Sequence, residues 1–217
     1  MKRPLVKFCG MTDRVDVVRA ADLGAAAVGF VFWPGSPRAV TPARAREMVN
    51  ALPAFVVPVG VFVDEPIEEI RKVVEFVGLG AVQLHGREDP MSVNSLTCRV
   101  IKAIGEPGND LLTEALQWAG DVTLLIDHLD AKRRGGTGKL ADWTMARAIA
   151  EKRRVVLAGG LTPDNVADAI IHVKPYGVDV SSGVEHEHQP GIKDYQRMRA
   201  FIDAVEHAFT RMPGPSR

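Results

Sequence analysis

PLVKFCGMT, residues 4–12, is the stretch from which the fold of this chain can be worked out. Because a strand alternates its faces, Lys7 and Cys9 share one face of this apolar run. Val6 and Phe8 share the other face. A lysine and a cysteine do not suit the face beneath packing helices unless they are paired, so we expect them to point into the closed interior of a sheet, at its far end. A positive charge stabilises an ionised thiol, which makes Cys9 a candidate base or nucleophile.

The composition is that of an ordinary globular protein, with 217 residues of which 46% are hydrophobic. The 27 Lys and Arg residues balance 27 Asp and Glu residues, so we expect neither a nucleic acid nor a membrane surface as a partner. Two cysteines, Cys9 and Cys98, form no disulfide framework and fit a reducing compartment. The N-terminus is too poor in apolar residues for a signal peptide, and no apolar run approaches the roughly 20 residues that cross a bilayer. A soluble cytoplasmic protein is therefore expected.

Outward from the first strand, short β-branched runs alternate with amphipathic helical stretches to the end of the chain. One helix is expected from about Glu88, and a long last helix from Asp194 to about Arg211. Eight strand–helix units imply parallel strands joined by right-handed crossovers. They predict an α/β fold of the (β/α)₈ TIM-barrel type, a single compact domain over residues 1–217 with 212–217 as a disordered tail. An open doubly wound sheet is the alternative.

The active site of such a barrel lies at the carboxyl ends of its strands, and this rule selects the candidate residues. Apart from the small residues of the last two loops, it selects Cys9, Phe32, Arg38, Asp64, His85 and Asp127. Cys98 instead falls at the start of its strand, where a small buried residue is the simpler interpretation.

Two stretches near the end of the chain indicate a phosphate site. LAGGLTPDN (157–165) and DVSSGVE (179–185) each place small residues directly after a strand, where backbone N–H groups can approach an anion. They supply Gly159, Gly160, Ser182 and Gly183 as candidate phosphate contacts, in the two loops that usually bind phosphate in this fold. GGTG (135–138) adds Gly136 and Gly138, on a loop that is either a plain flexible connection or a closing lid.

The polar candidates each have a simpler structural interpretation beside the functional one. Asp127 ends the apolar run TLLID and is either a cap residue or an acid–base group. Arg38 is either a solvated arginine or a ligand for a substrate carboxylate, and His85 is either a satisfied polar group or a substrate contact. Asp179 lies in the last strand, which adjoins the first in a closed barrel, so we expect it to pair with Lys7.

Seven motifs in chain order resemble the phosphoribosylanthranilate isomerase family, the barrel enzymes of tryptophan biosynthesis. They are KFCGMT (7–12), SPR (36–38), VGVF (59–62), QLHG (83–86), GGTGKLADW (135–143), LAGGLTPDNV (157–166) and GVDVSSGVE with PGIKD (177–194). The resemblance covers nearly the whole chain. Phe8 stands where an aliphatic residue is common, and Ala141 stands where Phe often follows the Gly-rich loop.

The resemblance implies an Amadori rearrangement of a phosphosugar–anthranilate substrate, without a metal or a cofactor. It implies that Cys9 is the general base, that Asp127 is the general acid and that Arg38 holds the anthranilate carboxylate. Lys7, His85 and Asp179 complete the expected substrate-binding set. The protein is expected to be a monomer or a homodimer.

Three other functions are compatible with a phosphate-binding barrel. A histidine-pathway isomerase would need aspartates at the ends of strands one and five, where this chain has Cys9 and Ile104. A metal-dependent epimerase would need strand-end histidines in several units, whereas only His85 lies at a strand end and His186 and His188 stand apart without a recognisable ligand set. A binding module without catalysis would not need both Cys9 and Asp127.

Overall fold

The computed structural model describes residues 3–105, 110–127 and 141–211. The strands are β1 (Leu5–Phe8), β2 (Ala27–Val31), β3 (Val57–Phe62), β4 (Ala81–Leu84), β5 (Arg99–Ile104), β6 (Thr123–Ile126), β7 (Val155–Leu157) and β8 (Gly177–Val180). The α-helices are α1 (Arg14–Asp22), α2 (Pro42–Val49), α3 (Ile67–Val77), α4 (Leu111–Leu116), α5 (Trp143–Ala150), α6 (Val166–Val173) and α7 (Tyr195–Arg211). The predicted lid glycines Gly136 and Gly138, and the predicted tail 212–217, lie outside the described residues.

The eight strands form one closed parallel barrel in the order of the sequence. The barrel closes where β1 pairs with β8, with Lys7 opposite Asp179 in the register. This confirms the predicted (β/α)₈ barrel and rules out the open sheet. The carboxyl ends of all eight strands therefore meet at one mouth.

Alternation along each strand divides the side chains between two environments. The larger core lies between the strands and the helices, where Phe8, Phe30 and Phe201 are fully buried. Two smaller clusters fill the barrel interior. They consist of Ala103, Leu125 and Ala158, and of Cys9, Val31 and Val61 with Trp33 packed against them. Because Cys9 belongs to an interior cluster, its side chain points into the barrel as predicted.

The amino-terminal half of the barrel contains a cavity of about 410 Å³. It exists because inward positions there carry small side chains, such as Ala27, Val59, Ala81 and Gly177. This cavity lies at the end opposite the strand-end residues selected from the sequence.

Several helix starts follow directly from local sequence. The Asp13 side chain accepts a hydrogen bond of 2.7 Å from Val15 N at the start of α1. Thr41 caps α2, whose first residue is Pro42. Asp142 caps α5 through the backbone N–H groups of the two residues after Trp143. These caps determine the residue at which each helix begins after its strand-end loop.

The predicted helix from about Glu88 is wrong, because this segment forms only a short 3₁₀ helix, Ser92–Ser95. The Ser92 hydroxyl donates to Asp89 O at 2.6 Å, and the Ser95 hydroxyl donates to Ser92 O at 3.1 Å. Such local side-chain bonds compete with an extended helical ladder. Among the described residues, no helix has the length and apolar character required to span a bilayer.

Candidate active site

Cys9, Lys7 and Asp179 form a buried group inside the barrel mouth. Cys9 directly follows β1 and is 7% exposed. Lys7 Nζ donates a hydrogen bond of 2.8 Å to Asp179 Oδ1, and both side chains are buried. The predicted Lys7–Asp179 pair is therefore present. Burial alone would lower the pKa of Lys7, but the Asp179 carboxylate and the Cys9 sulfur outweigh burial and hold the pKa above its ordinary value.

The Cys9 thiol is subject to opposing influences. Burial is the largest and raises its pKa, since an ionised sulfur loses solvation inside the barrel. Lys7 lowers the pKa, by its charge and by a hydrogen bond, while the Asp179 charge raises it again. The net pKa lies above the ordinary thiol value. Lys7 thus acts on the Cys9 pKa in the predicted direction, but burial outweighs it.

Two glycines that the sequence reasoning missed make room for these side chains. A Cβ atom on Gly29, in β2, would lie 2.8 Å from Cys9 Sγ and 3.2 Å from Lys7 Nζ. Gly10 has a φ of 71°, and a Cβ atom there would lie 2.5 Å from Cδ of Arg38. The sequence shows that Gly10 directly follows Cys9, but it does not show that Arg38 packs against Gly10.

Asp127 and His85 approach each other across the mouth. Asp127 directly follows β6, and its Oδ2 lies 3.6 Å from Nε2 of His85, which directly follows β4. Gln83, two residues earlier on the same face of β4, places its Nε2 2.9 Å from His85 Nδ1. When this amide donates to Nδ1, the neutral imidazole carries its proton on Nε2, the nitrogen that faces Asp127. Gln83 was quoted in the QLHG motif, but no role for it followed from the sequence.

The loops after β7 and β8 form a small cavity of about 40 Å³. Four of the predicted phosphate residues line it, namely Gly159, Gly160, Ser182 and Gly183. Gly159 and Gly160 have φ angles of 77° and 63°, a conformation that favours glycine and brings the backbone to the surface of the cavity. Asp127 and Asp179 also line this cavity. The cavity is therefore next to the buried group of Cys9, Lys7 and Asp179.

Asn165, another residue that the sequence reasoning left without a role, fixes the shape of the β7 loop. Its Oδ1 accepts from Thr162 N at 2.8 Å, and its Nδ2 donates to Gly160 O at 2.9 Å. These bonds hold the glycine pair in place before α6 begins.

Arg38 is already paired along one edge of its guanidinium. Its Nε and Nη2 donate to the two carboxylate oxygens of Glu185, at 2.8 and 2.7 Å. Lys193 Nζ donates to Glu185 Oε1 at 2.8 Å. Glu185 and Lys193 lay within motifs quoted from the sequence, yet nothing in their spacing showed that they would be buried beside Arg38. Within the described parts of the chain, no group of three His, Cys, Asp or Glu side chains is placed to hold a metal ion.

Comparison with known proteins identifies the family. The model of the N-(5'-phosphoribosyl)anthranilate (PRA) isomerase family matches residues 6–204. The chain belongs to this family. A PRA isomerase from Pelobacter propionicus is 45% identical over 91% of this chain and 93% of its own length. As a member of the PRA isomerase family, the chain is an intramolecular isomerase of tryptophan biosynthesis.

Solved structures of PRA isomerases share the barrel. The enzyme from Thermotoga maritima is 39% identical, with a TM-score of 0.86, over 94% of this chain and 99% of its own. A second PRA isomerase structure, 38% identical with a TM-score of 0.82 over the same shares of the two chains, contains reduced 1-(o-carboxyphenylamino)-1-deoxyribulose 5-phosphate. Another structure of the T. maritima enzyme describes monomers made from a dimeric protein.

Proposed function

We propose that the chain converts N-(5'-phosphoribosyl)anthranilate into 1-(2-carboxyphenylamino)-1-deoxyribulose 5-phosphate, with Asp127 as general acid and Cys9 as general base. The observation that carries this proposal is the placement of both residues at one barrel mouth, beside the small cavity of the β7 and β8 loops. The solved relative that holds a reduced form of this product supports the choice of product. The cavity suits the phosphate because glycine backbone and the start of a helical turn face it.

In the first step Asp127, protonated, gives its proton to the furanose ring oxygen. The bond from this oxygen to C1' breaks, and C1' and the anthranilate nitrogen form a protonated Schiff base. Proton donation neutralises the negative charge that develops on the departing oxygen. His85, whose Nε2 lies 3.6 Å from Asp127 Oδ2, keeps the carboxyl group oriented toward the mouth.

In the second step the Cys9 thiolate removes the proton from C2'. The electron pair of the C2'–H bond forms the C1'=C2' bond, and the Schiff-base nitrogen becomes neutral. The raised pKa of Cys9 in the resting site is compatible with this step, because the cationic Schiff base places a further positive charge beside the sulfur. Lys7 and Lys193 act in the same direction on the Cys9 pKa.

The enolamine then becomes the product by losing its 2'-hydroxyl proton and gaining a proton at C1'. Over the whole reaction one proton leaves Asp127 and one arrives at Cys9, and both groups return to their starting states through the last step. The phosphate is held by Gly159, Gly160, Ser182 and Gly183, while the outer edge of Arg38 receives the anthranilate carboxylate. Lys7 and Asp179 support Cys9 from inside the barrel.

The test follows the loss of anthranilate-type fluorescence after freshly made phosphoribosylanthranilate is added, with EDTA present. We expect turnover by the parent protein, and a fall in kcat of about 10²–10⁴ or more for Cys9→Ser, Cys9→Ala and Asp127→Asn, because each change removes one acid–base group. Each variant should still bind the reduced product analogue.

Cys98→Ala is the matched control, since Cys98 is the second cysteine and lies at the opposite end of the barrel, just before β5. It should retain the parent kcat. A near-normal kcat in Cys9→Ser or Asp127→Asn would remove that residue from its proposed role. Absence of turnover by a folded parent protein that binds the analogue would leave a binding module instead of an enzyme.

A further inference from the structure

Glu185 is a buried carboxylate that no step of the proposed mechanism uses. It follows a short 3₁₀ helix, Ser182–Val184, in the loop after β8, and it is 5% exposed. The carboxylate accepts four hydrogen bonds: two from Arg38, one from Lys193 Nζ and one of 3.1 Å from Gly191 N. A carboxylate with this many donors has one fixed orientation.

The three charged side chains form a cluster with one excess positive charge. The Lys193 side chain is 0% exposed, and its Nζ also donates to Ser181 O at 3.1 Å. Burial works against the Glu185 carboxylate, but Arg38 and Lys193 outweigh burial and hold the Glu185 pKa below its usual range. The cluster therefore contains an ionised Glu185 at neutral pH, although burial lowers the pKa of Lys193.

The contacts of Arg38 divide its guanidinium into two edges. Glu185 occupies the edge formed by Nε and Nη2. The other edge, formed by Nη1 and Nη2, carries further N–H donors with the spacing of a carboxylate. A Cβ atom on Gly10, directly after Cys9, would lie 2.5 Å from Arg38 Cδ, so the Arg38 side chain lies at the same mouth as Cys9.

We propose that Glu185, held in turn by Lys193, is a positioning residue that fixes the Arg38 guanidinium so that its outer edge selects substrates with a carboxylate on the aromatic ring. This inference rests on the proposed function, in which Arg38 receives that carboxylate. It explains why the Arg38 guanidinium keeps one orientation. Neither Arg38 by itself nor the positive charge of the cluster explains this. Without Glu185, Arg38 would lose two bonds that hold its plane and would have many rotamers open to it.

The experiment measures the affinity of two ligands for each variant. One ligand is the reduced product analogue, and the other is the same compound without the ring carboxylate. In Glu185→Gln we expect the first ligand to bind about 10- to 100-fold more weakly, the effect of one poorly made charge-assisted contact. The second ligand should bind within about threefold of the parent value, since it makes no contact that Glu185 supports.

Glu88→Gln is the matched control. Glu88 is also a buried carboxylate that binds a buried lysine, Lys102, at 2.7 Å, but it lies in the loop after β4 and does not touch Arg38. Its substitution should change both affinities by the same factor. If Glu185→Gln also weakens both ligands equally, or weakens neither, the positioning role is overturned and Glu185 is a structural residue only.

Glu185→Asp provides a second test, because it keeps the charge while withdrawing the carboxylate by one methylene. Glu185→Asp should fold even if Glu185→Gln fails to fold. It should still lose the preference for the reduced product analogue over the compound without the ring carboxylate. The parent and Arg38→Met test the underlying function separately. A parent without preference for the carboxylate ligand, or an Arg38→Met variant that keeps it, would refute the role of Arg38 itself.

Discussion

The Cys9 thiol lies among charges that act on its pKa in opposite directions. Burial and Asp179 raise the pKa, whereas Lys7 and Lys193 lower it, and the net result is a pKa above the ordinary thiol value. A general base must be deprotonated before it can act, and kcat/KM reports the free enzyme. The ionisation of Cys9 should therefore set one limb of the pH profile of kcat/KM, and the loss of the Asp127 proton should set the other.

We predict a bell-shaped pH profile of kcat/KM, because Cys9 must be ionised and Asp127 protonated, with the limb set by Cys9 at a pKa above that of an ordinary thiol, which is about 8.5. In Lys7→Met this limb should move to still higher pH, because the substitution removes the largest influence that lowers the Cys9 pKa. The measurement is kcat/KM across the full pH range in the fluorescence assay. Lys102→Met, which removes a buried lysine that binds Glu88, should leave the position of this limb unchanged. An unshifted limb in Lys7→Met would contradict the proposed influence of Lys7 on Cys9.

The sequence could identify the residues whose positions follow from two rules: side chains alternate between the two faces of a strand, and the strands are ordered as in the sequence. Lys7 and Asp179 were predictable as a pair because β1 and β8 adjoin in any closed barrel of eight units. The net direction of the Cys9 pKa was not predictable, because it depends on the depth of burial. Glu185 and Arg38 are separated by 147 residues, and their contact depends on how two loops cross the mouth.

Among the secondary-structure elements, the short helix α4 depends on side-chain contacts at both ends. Asp110 caps its start by accepting from Leu112 N and Thr113 N, each at 3.3 Å. At its end, the Arg153 guanidinium donates to one backbone carbonyl in the last turn of the helix and to three beyond it, at distances from 2.6 to 2.9 Å. A helix of six residues leaves most of its terminal backbone groups without intrahelical partners, so such contacts decide whether it forms.

We predict that Arg153→Met lowers the free energy of unfolding by about 1–3 kcal/mol, because the carbonyls after α4 lose their donors. Arg153→Lys should recover little of this loss, since one ammonium group cannot span four carbonyls in the way that a planar guanidinium does. Urea denaturation measures both variants. Lys152→Met, a change at the exposed neighbouring position, is the control and should stay within about 0.5 kcal/mol of the parent. Equal stability of the Arg153 and Lys152 variants would refute the role of Arg153.

The strands were easier to predict from the sequence than the segments between them. Each strand is a short run of mainly apolar residues, most of them containing several β-branched side chains, and all eight are 3–6 residues long. The segment after β4 misled the prediction because Ser92 and Ser95 bind backbone carbonyls locally. Helix propensity alone does not show whether these carbonyls accept from the serine hydroxyls or from the backbone N–H groups of a longer helix.

At the scale of the whole molecule, the barrel is complete only when its last strand meets its first. Lys7 and Asp179 are 172 residues apart, and their 2.8 Å bond lies directly at this closure. The same pair supports Cys9, so closure of the fold and assembly of the site depend on one contact. Sequence periodicity could predict that the barrel closes, but not that the side chains of its closing contact also shift the pKa of Cys9.

We predict that Lys7→Met and Asp179→Leu each lower the free energy of unfolding by about 3–5 kcal/mol, because each leaves the other charge buried without its partner. The double variant should lose much less than the sum, since both charges are then gone and apolar side chains fill the interior. Urea denaturation of the four proteins gives the coupling energy as a double-mutant cycle. The exposed pair of Arg71 with Glu68, at 3.3 Å, is the control, and its cycle should yield less than about 1 kcal/mol. A Lys7→Met variant as stable as the parent would show that the closure between β1 and β8 rests on backbone pairing alone. Losses that simply add in the double variant would show that the two side chains act independently.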